Sequence, residues 1–291
     1  MADAMDSQGV PEGATDYRGD PAALEAAQRL KARGGDVDPL GVLPDVHPDR
    51  IPRHIAFIMD GNGRWANERG FPRSFGHRNG ARAVREMITS CVRLGIEQIT
   101  LYSFSTENWS RPEDEVNALM ELCGAYIEGN HELLRGHGVR FRSIGRRAGL
   151  PAELTRSIEH LEDVTSDCNT MTLCVALNYG SRDEIVDAAR AIAEQVKSGD
   201  LEPGAINTDV ISEHLYTAGM PEPDLLVRTA GEMRVSNYLL WQISYAELYV
   251  TETLWPDFDE GCLHDAVRAF ASRKRRFGGL DSPEHADDAG G

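Results

Sequence analysis

An apolar run, His54-Ile-Ala-Phe-Ile-Met59, empties directly into Asp60-Gly-Asn-Gly-Arg64 and Trp65. One carboxylate, two glycines and an arginine in a single loop form a phosphate-handling set. Gly61 and Gly63 let the backbone approach an anion and turn N–H groups towards it, Arg64 adds a fixed fork of donors, and Asp60 can hold a cation. Gly61-x-Gly63 lacks the Lys-Ser/Thr ending of a P-loop and the third glycine of a dinucleotide fingerprint, so ATP and NAD readings lose ground. Further polar blocks follow at Arg73-Ser-Phe-Gly-His77, Ser105-Thr-Glu-Asn-Trp109 with Arg111, Arg228-Thr-Ala-Gly-Glu232, Arg234-Val-Ser236 and Ala246-Glu-Leu-Tyr249.

These blocks need a frame that brings them together. Apolar, strand-like runs at 55–59, 97–103, 139–144, 171–177, 224–228 and 246–250 alternate with helical patterns near 77–94, 113–135, 151–165 and 182–197. That alternation predicts an α/β fold: a single domain with a mostly parallel six-stranded sheet flanked by helices. In such a sheet ligands bind beyond the carboxyl ends of the strands. The loops at 60–64, 105–109 and 228–232 fall at those ends, so three polar loops converge on one mouth. Residues 1–50, rich in Asp, Gly, Pro and Ala, read as a weakly ordered extension with one short helix at 21–33. A last helix from Glu260 to Arg276 precedes an acidic tail, 281–291, expected to be disordered.

The gross numbers exclude other classes. With 291 residues and a net charge of −17, the chain has no long basic stripe for nucleic acid; Arg146-Arg147 and Arg273-Lys-Arg-Arg276 are local exceptions. Its five cysteines form no Cys-x-x-Cys pair, which argues against a zinc site or disulfide framework and for a reducing cytoplasm. No apolar run has the length of a membrane span, and the amino terminus carries no signal-like segment, so a soluble, cytoplasmic protein is expected.

The motifs together resemble the cis-prenyltransferases, most closely the undecaprenyl diphosphate synthase type. The resemblance spans about Ile51 to Leu280 and rests on Asp60–Trp65, Leu101–Pro112, Asp224–Gln242, Ala246–Tyr249 and Leu254-Trp-Pro-Asp-Phe258. It implies a Mg²⁺-dependent enzyme that adds isopentenyl diphosphate to an allylic diphosphate such as farnesyl diphosphate. A long polyprenyl diphosphate carrier for cell-wall synthesis would result. Asp60 then matches the catalytic aspartate that places Mg²⁺, and Glu247 a second metal ligand. Gly61, Asn62, Gly63, Arg64, Arg73 and His77 match the allylic diphosphate pocket, and Trp65 and Trp109 match aromatics near the substrate. Ser105, Thr106, Glu107 and Asn108 match a flexible loop in which Asn108 assists proton removal, with Arg111 and Glu115 linking that loop to substrate. Arg228, Arg234, Val235 and Ser236 match the isopentenyl diphosphate site.

Each assignment has a plainer competitor. Asp after a strand is a common helix N-cap, a histidine opening a helix is often a packed side chain, and tryptophans beside strand ends are usually core. An amide is a poor base, so Asn108 more readily orients a diphosphate oxygen or a water. The stripe Val116, Leu119, Met120, Cys123, Tyr126 and Ile127 reads as core packing on pattern alone, whereas the resemblance makes it, with Val139 and Met171, the wall of a product tunnel. Met233 and Ala230 depart from residues frequent in the family but spare the anion-binding side chains. The trans-type enzymes use Asp-Asp-x-x-Asp clusters, and this sequence has none. The resemblance further implies a homodimer, reached by the Arg273–Gly279 segment, and the hydrophobic product implies transient contact with a membrane surface. Rival readings are a prenyltransferase of another product length, a non-catalytic partner subunit, and a phosphatase using Asp60 as nucleophile; the last lacks a second nearby aspartate for acid catalysis.

Overall fold

The computed structural model describes residues 10, 11 and 13–273. Six strands, β1 (His54–Ile58), β2 (Gln98–Ser105), β3 (Val139–Ile144), β4 (Met171–Tyr179), β5 (Leu225–Arg228) and β6 (Glu247–Val250), form one sheet in the order β3-β4-β2-β1-β5-β6. All five pairings are parallel, with Ile55 beside Ile99 on one side and Leu225 on the other. The ten α-helices of the described residues are α1 (Pro21–Lys31), α2 (Pro39–Val42), α3 (Asn62–Glu68), α4 (Arg73–Leu94) and α5 (Glu113–Gly129), then α6 (His131–Gly136), α7 (Ala152–Val164), α8 (Ser181–Ser198), α9 (Thr208–His214) and α10 (Glu260–Ala271).

Every residue of β1 is buried, as a strand covered on both faces requires. Ile55 and Phe57 point into the large core, which holds Met87, Ile88 and Cys91 of α4, Leu119 and Ile127 of α5, Ile158 of α7 and Val267 of α10. Their neighbours Ala56 and Ile58 join a smaller core on the opposite face with Tyr179, Leu226, Tyr238 and Leu239. The order of strands reverses at β1: the chain steps to β2 on one side and later returns to β5 on the other. That reversal opens a crevice beyond the carboxyl ends of β1, β2 and β5.

Three sequence expectations change. The segment before residue 50 is part of the folded domain wherever the structure describes it. Asp20 caps α1 by accepting from the Ala22 N–H, and Pro21 occupies its first turn. Val37, Leu43 and Val46 enter the large core, Leu40 packs on Ala23 and Ala27, and the Arg33 guanidinium donates to the carbonyls of Gly95 and Thr170, both at 2.8 Å. The polar composition hid this apolar spacing of three. The helix expected over 113–135 is interrupted at Asn130, whose side chain donates to the Tyr126 carbonyl and competes with the helical ladder. The last helix ends at Ala271 rather than Arg276; residues 274–291, with most of the Arg273–Gly279 motif and the whole expected acidic tail, lie outside the described residues.

Candidate active site

A cavity of about 730 Å³ opens beyond the carboxyl ends of β1, β2, β4 and β5. One end is polar, lined by Asp60–Gly63, Arg73, His77, Ser105, Glu107, Asn108 and Arg111 together with Arg228, Arg234 and Ser236. The other is an apolar arm between α4, α5 and the sheet, lined by Val84, Leu101, Leu119, Leu122, Cys123, Tyr126, Ile127, Val175 and Leu177. The shape suits an anionic head with a hydrocarbon tail.

Asp60 stands two residues beyond β1. Its Oδ1 accepts from the Gly61 N–H at 2.8 Å, and its backbone N–H donates to the Thr229 hydroxyl at 2.9 Å. Gly61 has φ +102°, and a Cβ there would lie 2.9 Å from Leu254 and 3.0 Å from the Ala230 methyl. Only glycine makes that turn. Gly63 serves a second approach: a Cβ there would lie 2.5 Å from Arg73 Nη1, so its absence lets the Arg73 guanidinium lie against the loop.

The Arg228 side chain, 5% exposed, donates to Asp60 Oδ2 at 2.9 Å, to Ser236 Oγ at 2.8 Å and to the Arg234 carbonyl. It thereby ties the end of β1 to the loop after β5. That loop holds Ala230 (φ 68°), Ser236 (φ 48°) and Asn237 (φ 57°) in the left-handed region that side chains avoid, a strain typical of functional loops.

Most arginines of the polar end are already paired. Arg73 and Arg111 both reach Glu115 Oε1, at 3.5 and 2.9 Å, and Arg234 pairs with Glu232. His77 faces Arg111, Arg73 and Glu115; burial, helped by the two arginines and opposed by the glutamate, pulls its pKa down to about 4. The ring is therefore neutral at pH 7. Its Nε2, Asn62 Oδ1, Arg228 Nε and Tyr126 Oη are four of the eight buried side-chain polar atoms without a partner among the described residues, and all four belong to residues lining this cavity. His77, Asn62 and Arg228 stand at the polar end and Tyr126 in the apolar arm; Asn62 Oδ1 faces Gly80 of α4, where a Cβ would lie 2.2 Å from it.

Other predicted residues fall outside this surface. Trp65 donates through its indole N–H to Asp257 Oδ1 at 2.6 Å, stacks on Phe75 and carries the Arg69 guanidinium 4.3 Å above its ring; it braces the loop rather than lining the cavity. Trp109 donates to Asn178 Oδ1 at 2.8 Å and packs edge-on against Phe104. Thr106 bonds Asp183, Arg64 reaches the Ala230 carbonyl and Glu232, and Val235 packs with the smaller core. Asn108 does line the cavity, but its Oδ1 accepts from the Ser105 N–H at 3.0 Å within a capping box. The amide therefore offers the cavity its NH₂, a donor, which cannot take a proton.

Glu247 is not brought to Asp60 within this chain. It opens β6 beside Leu225, itself paired with Ile55, so it lies at the amino ends of the parallel strands. Asp60 is five residues further along β1, a span of ~16 Å at the usual strand rise. Glu247 instead accepts from Arg273 Nη1 at 2.8 Å. Among the described residues no three His, Cys, Asp or Glu side chains gather into a metal cluster. Val116, Met120, Val139 and Met171 lie in the core rather than on the cavity wall, which leaves Leu119, Cys123, Tyr126 and Ile127 as the lining part of the expected stripe. Sequence reasoning missed three residues that line the cavity: Arg182, outside the motifs, Leu122, off the predicted stripe, and Asn237, which lies within the Asp224–Gln242 motif but is given no role by it.

Residues 58–278 match the prenyltransferase family model described as undecaprenyl diphosphate synthase. An isoprenyl transferase of Clostridium perfringens is 46% identical over 232 residues, covering 80% of this chain and 92% of the relative. A ditrans,polycis-undecaprenyl-diphosphate synthase ((2E,6E)-farnesyl-diphosphate specific) of Vibrio cholerae is 47% identical over 230 residues, covering 79% and 92%. Among solved structures, lavandulyl diphosphate synthase of Lavandula x intermedia, in complex with dimethylallyl diphosphate, superposes with a TM-score of 0.77 at 36% identity, covering 79% of this chain and 99% of that one. A probable undecaprenyl diphosphate synthase of Campylobacter jejuni gives 0.65 at 32% identity, covering 78% and 98%.

Proposed function

Because the chain belongs to the undecaprenyl diphosphate synthase family of prenyltransferases, we propose that it condenses isopentenyl diphosphate onto an allylic diphosphate such as farnesyl diphosphate. Repeated condensation in the cis sense gives a long polyprenyl diphosphate that serves as a cell-wall carrier lipid. In each round the allylic C–O bond breaks and diphosphate leaves with its electrons. The double bond of isopentenyl diphosphate attacks the allyl carbon, and a proton is lost from the adduct.

Asn62, the Gly61–Gly63 backbone, Arg73 and His77 hold the allylic diphosphate. Neutral His77 hydrogen-bonds it through its unpartnered Nε2, and as the anion arrives its pKa rises, so the ring can take up a proton and strengthen the grip. Arg228, Arg234 and Ser236 hold the isopentenyl diphosphate, whose oxygens exchange with Glu232 for the Arg234 guanidinium. Asn108 orients a diphosphate oxygen through its NH₂. Mg²⁺ fits Asp60 alone, since this ion is commonly held by one or two carboxylates with substrate phosphate oxygens and waters, and Asp60 presents a carboxylate 41% exposed to the cavity. When bound it neutralises charge on the leaving diphosphate.

The observation that carries this reading is the junction, in one cavity, of a polar end lined by Asp60, Arg73, Arg111, Arg228 and Arg234 with an apolar arm lined by Leu119, Leu122, Ile127 and Leu177. The arm favours long products, because a short allylic substrate would leave most of its wall uncovered. Cytoplasmic location, a homodimer and brief membrane contact on product release accompany the reading; among the described residues no helix is long and apolar enough to cross a membrane. The test is release of pyrophosphate from farnesyl and isopentenyl diphosphates. Release should require both substrates and Mg²⁺ together; release from farnesyl diphosphate alone would make the protein a phosphohydrolase.

A further inference from the structure

Five arginines line the cavity, at 73, 111, 182, 228 and 234. Four are tied to carboxylates, at Glu115 twice, Asp60 and Glu232. Arg182 differs: among the described residues its guanidinium has no hydrogen bond or ion pair, and its side chain is exposed. It is also badly placed for stability. It is the second residue of α8, an 18-residue helix whose amino end carries positive partial charge, where cations are disfavoured. Yet its backbone is fixed: the Arg182 N–H donates to Asn237 Oδ1 at 2.9 Å and the Ser181 N–H to the Asn237 carbonyl at 2.8 Å. Asn237 is the left-handed residue beside Ser236, and it also donates to Glu107 Oε1 at 2.8 Å. The start of α8 is thus latched to the loop carrying Arg234 and Ser236.

We propose that Arg182 is a third guanidinium for the isopentenyl diphosphate and the first to engage it, because it alone need not release a carboxylate before accepting phosphate oxygens. The inference rests on the condensation reading above and deepens it. Once the diphosphate is captured, Arg234 exchanges Glu232 for it and Arg228 and Ser236 fix its orientation, so Arg182 acts on binding and leaves the chemical step untouched.

The test compares Arg182→Gln and Arg182→Lys with Arg190→Gln, a change on the same helix outside the cavity. Calorimetry with isopentenyl diphosphate and steady-state kinetics are run side by side with thermal melts. Arg182→Gln should weaken isopentenyl diphosphate binding and raise its KM by about tenfold, the usual range for one charged hydrogen bond. The kcat, the KM for the allylic substrate and the Tm should hold or, for Tm, rise; Arg182→Lys should recover part of the affinity and Arg190→Gln should match the unaltered protein. Unchanged affinity in Arg182→Gln, a fall in kcat at constant KM, or a loss that follows a lower Tm would each overturn the assignment. Failure of the unaltered protein to bind isopentenyl diphosphate would instead overturn the condensation reading on which it stands.

Discussion

Replacing Asp60 by asparagine separates what this carboxylate does for the fold from what it does for the reaction. The side chain keeps its shape, and the amide oxygen can still accept from the Gly61 N–H or from Arg228. What disappears is one charge facing a guanidinium that is 5% exposed. Converting a charge-assisted hydrogen bond to a neutral one forfeits about 1–1.5 kcal/mol. Asp60 itself is 41% exposed, so water screens part of the pair and the loss should settle near 1 kcal/mol. In a domain of this size that lowers the Tm by about 2–3 °C. If Asp60 holds the cation that neutralises the leaving diphosphate, the same change removes transition-state stabilisation of about 4 kcal/mol, or roughly a thousandfold in kcat/KM. The assay is incorporation of labelled isopentenyl diphosphate, with melting followed on the same preparation. Activity within about tenfold of the unaltered protein, an effect of only ~1.4 kcal/mol, would refute the role; a Tm drop well beyond the stated range would show that Asp60 acts through the fold.

The remaining predictions address the arm, the loop strain and pH. Ile127→Trp in the apolar arm should shorten the products while leaving the first condensation intact, read by product chromatography; unchanged length would mean that the chain follows another path. Ala230→Gly should relieve a φ of +68° and raise stability by about 0.5–1 kcal/mol after glycine's entropy is counted, measured by urea unfolding. His54, bonded at 2.8 Å to both the Pro221 carbonyl and the Thr100 hydroxyl, is driven by burial from 6.5 to about 4. Its folded-state pKa lies below the unfolded one, so stability is full above pH 6.5 and declines as pH falls from 6.5 towards 4, by about 3 kcal/mol for this residue. Unfolding free energies at pH 7.5 and 4.5 would check the sign, and a flat profile would contradict it.

Strands were the most legible part of the chain. Short β-branched runs between amphipathic segments identify a parallel sheet, and the phosphate loops after β1, β2 and β5 converge as strand direction requires. Motif membership was a poorer guide to side-chain direction. Trp65 and Trp109 share motifs with residues of the cavity yet spend their indole N–H groups on Asp257 and Asn178. The resemblance alone pairs Glu247 with Asp60 as a metal ligand; the register shows that within this chain they stand at opposite ends of the sheet. Arg182 escaped notice because an arginine in a polar first turn resembles any surface residue, and its meaning arises from the latch through Asn237, 55 positions away. Val37, Leu40, Leu43 and Val46 did carry a readable spacing, masked by the Asp, Gly and Pro around them.

The most direct measurement is the structure of the product formed from farnesyl diphosphate, isopentenyl diphosphate and Mg²⁺, with chain length resolved by chromatography and the new double bonds assigned by NMR. The account predicts a long polyprenyl diphosphate whose added units are all cis. Trans units, or no product from farnesyl or shorter primers, would contradict it, and the latter would turn attention to a partner subunit that stabilises another prenyltransferase.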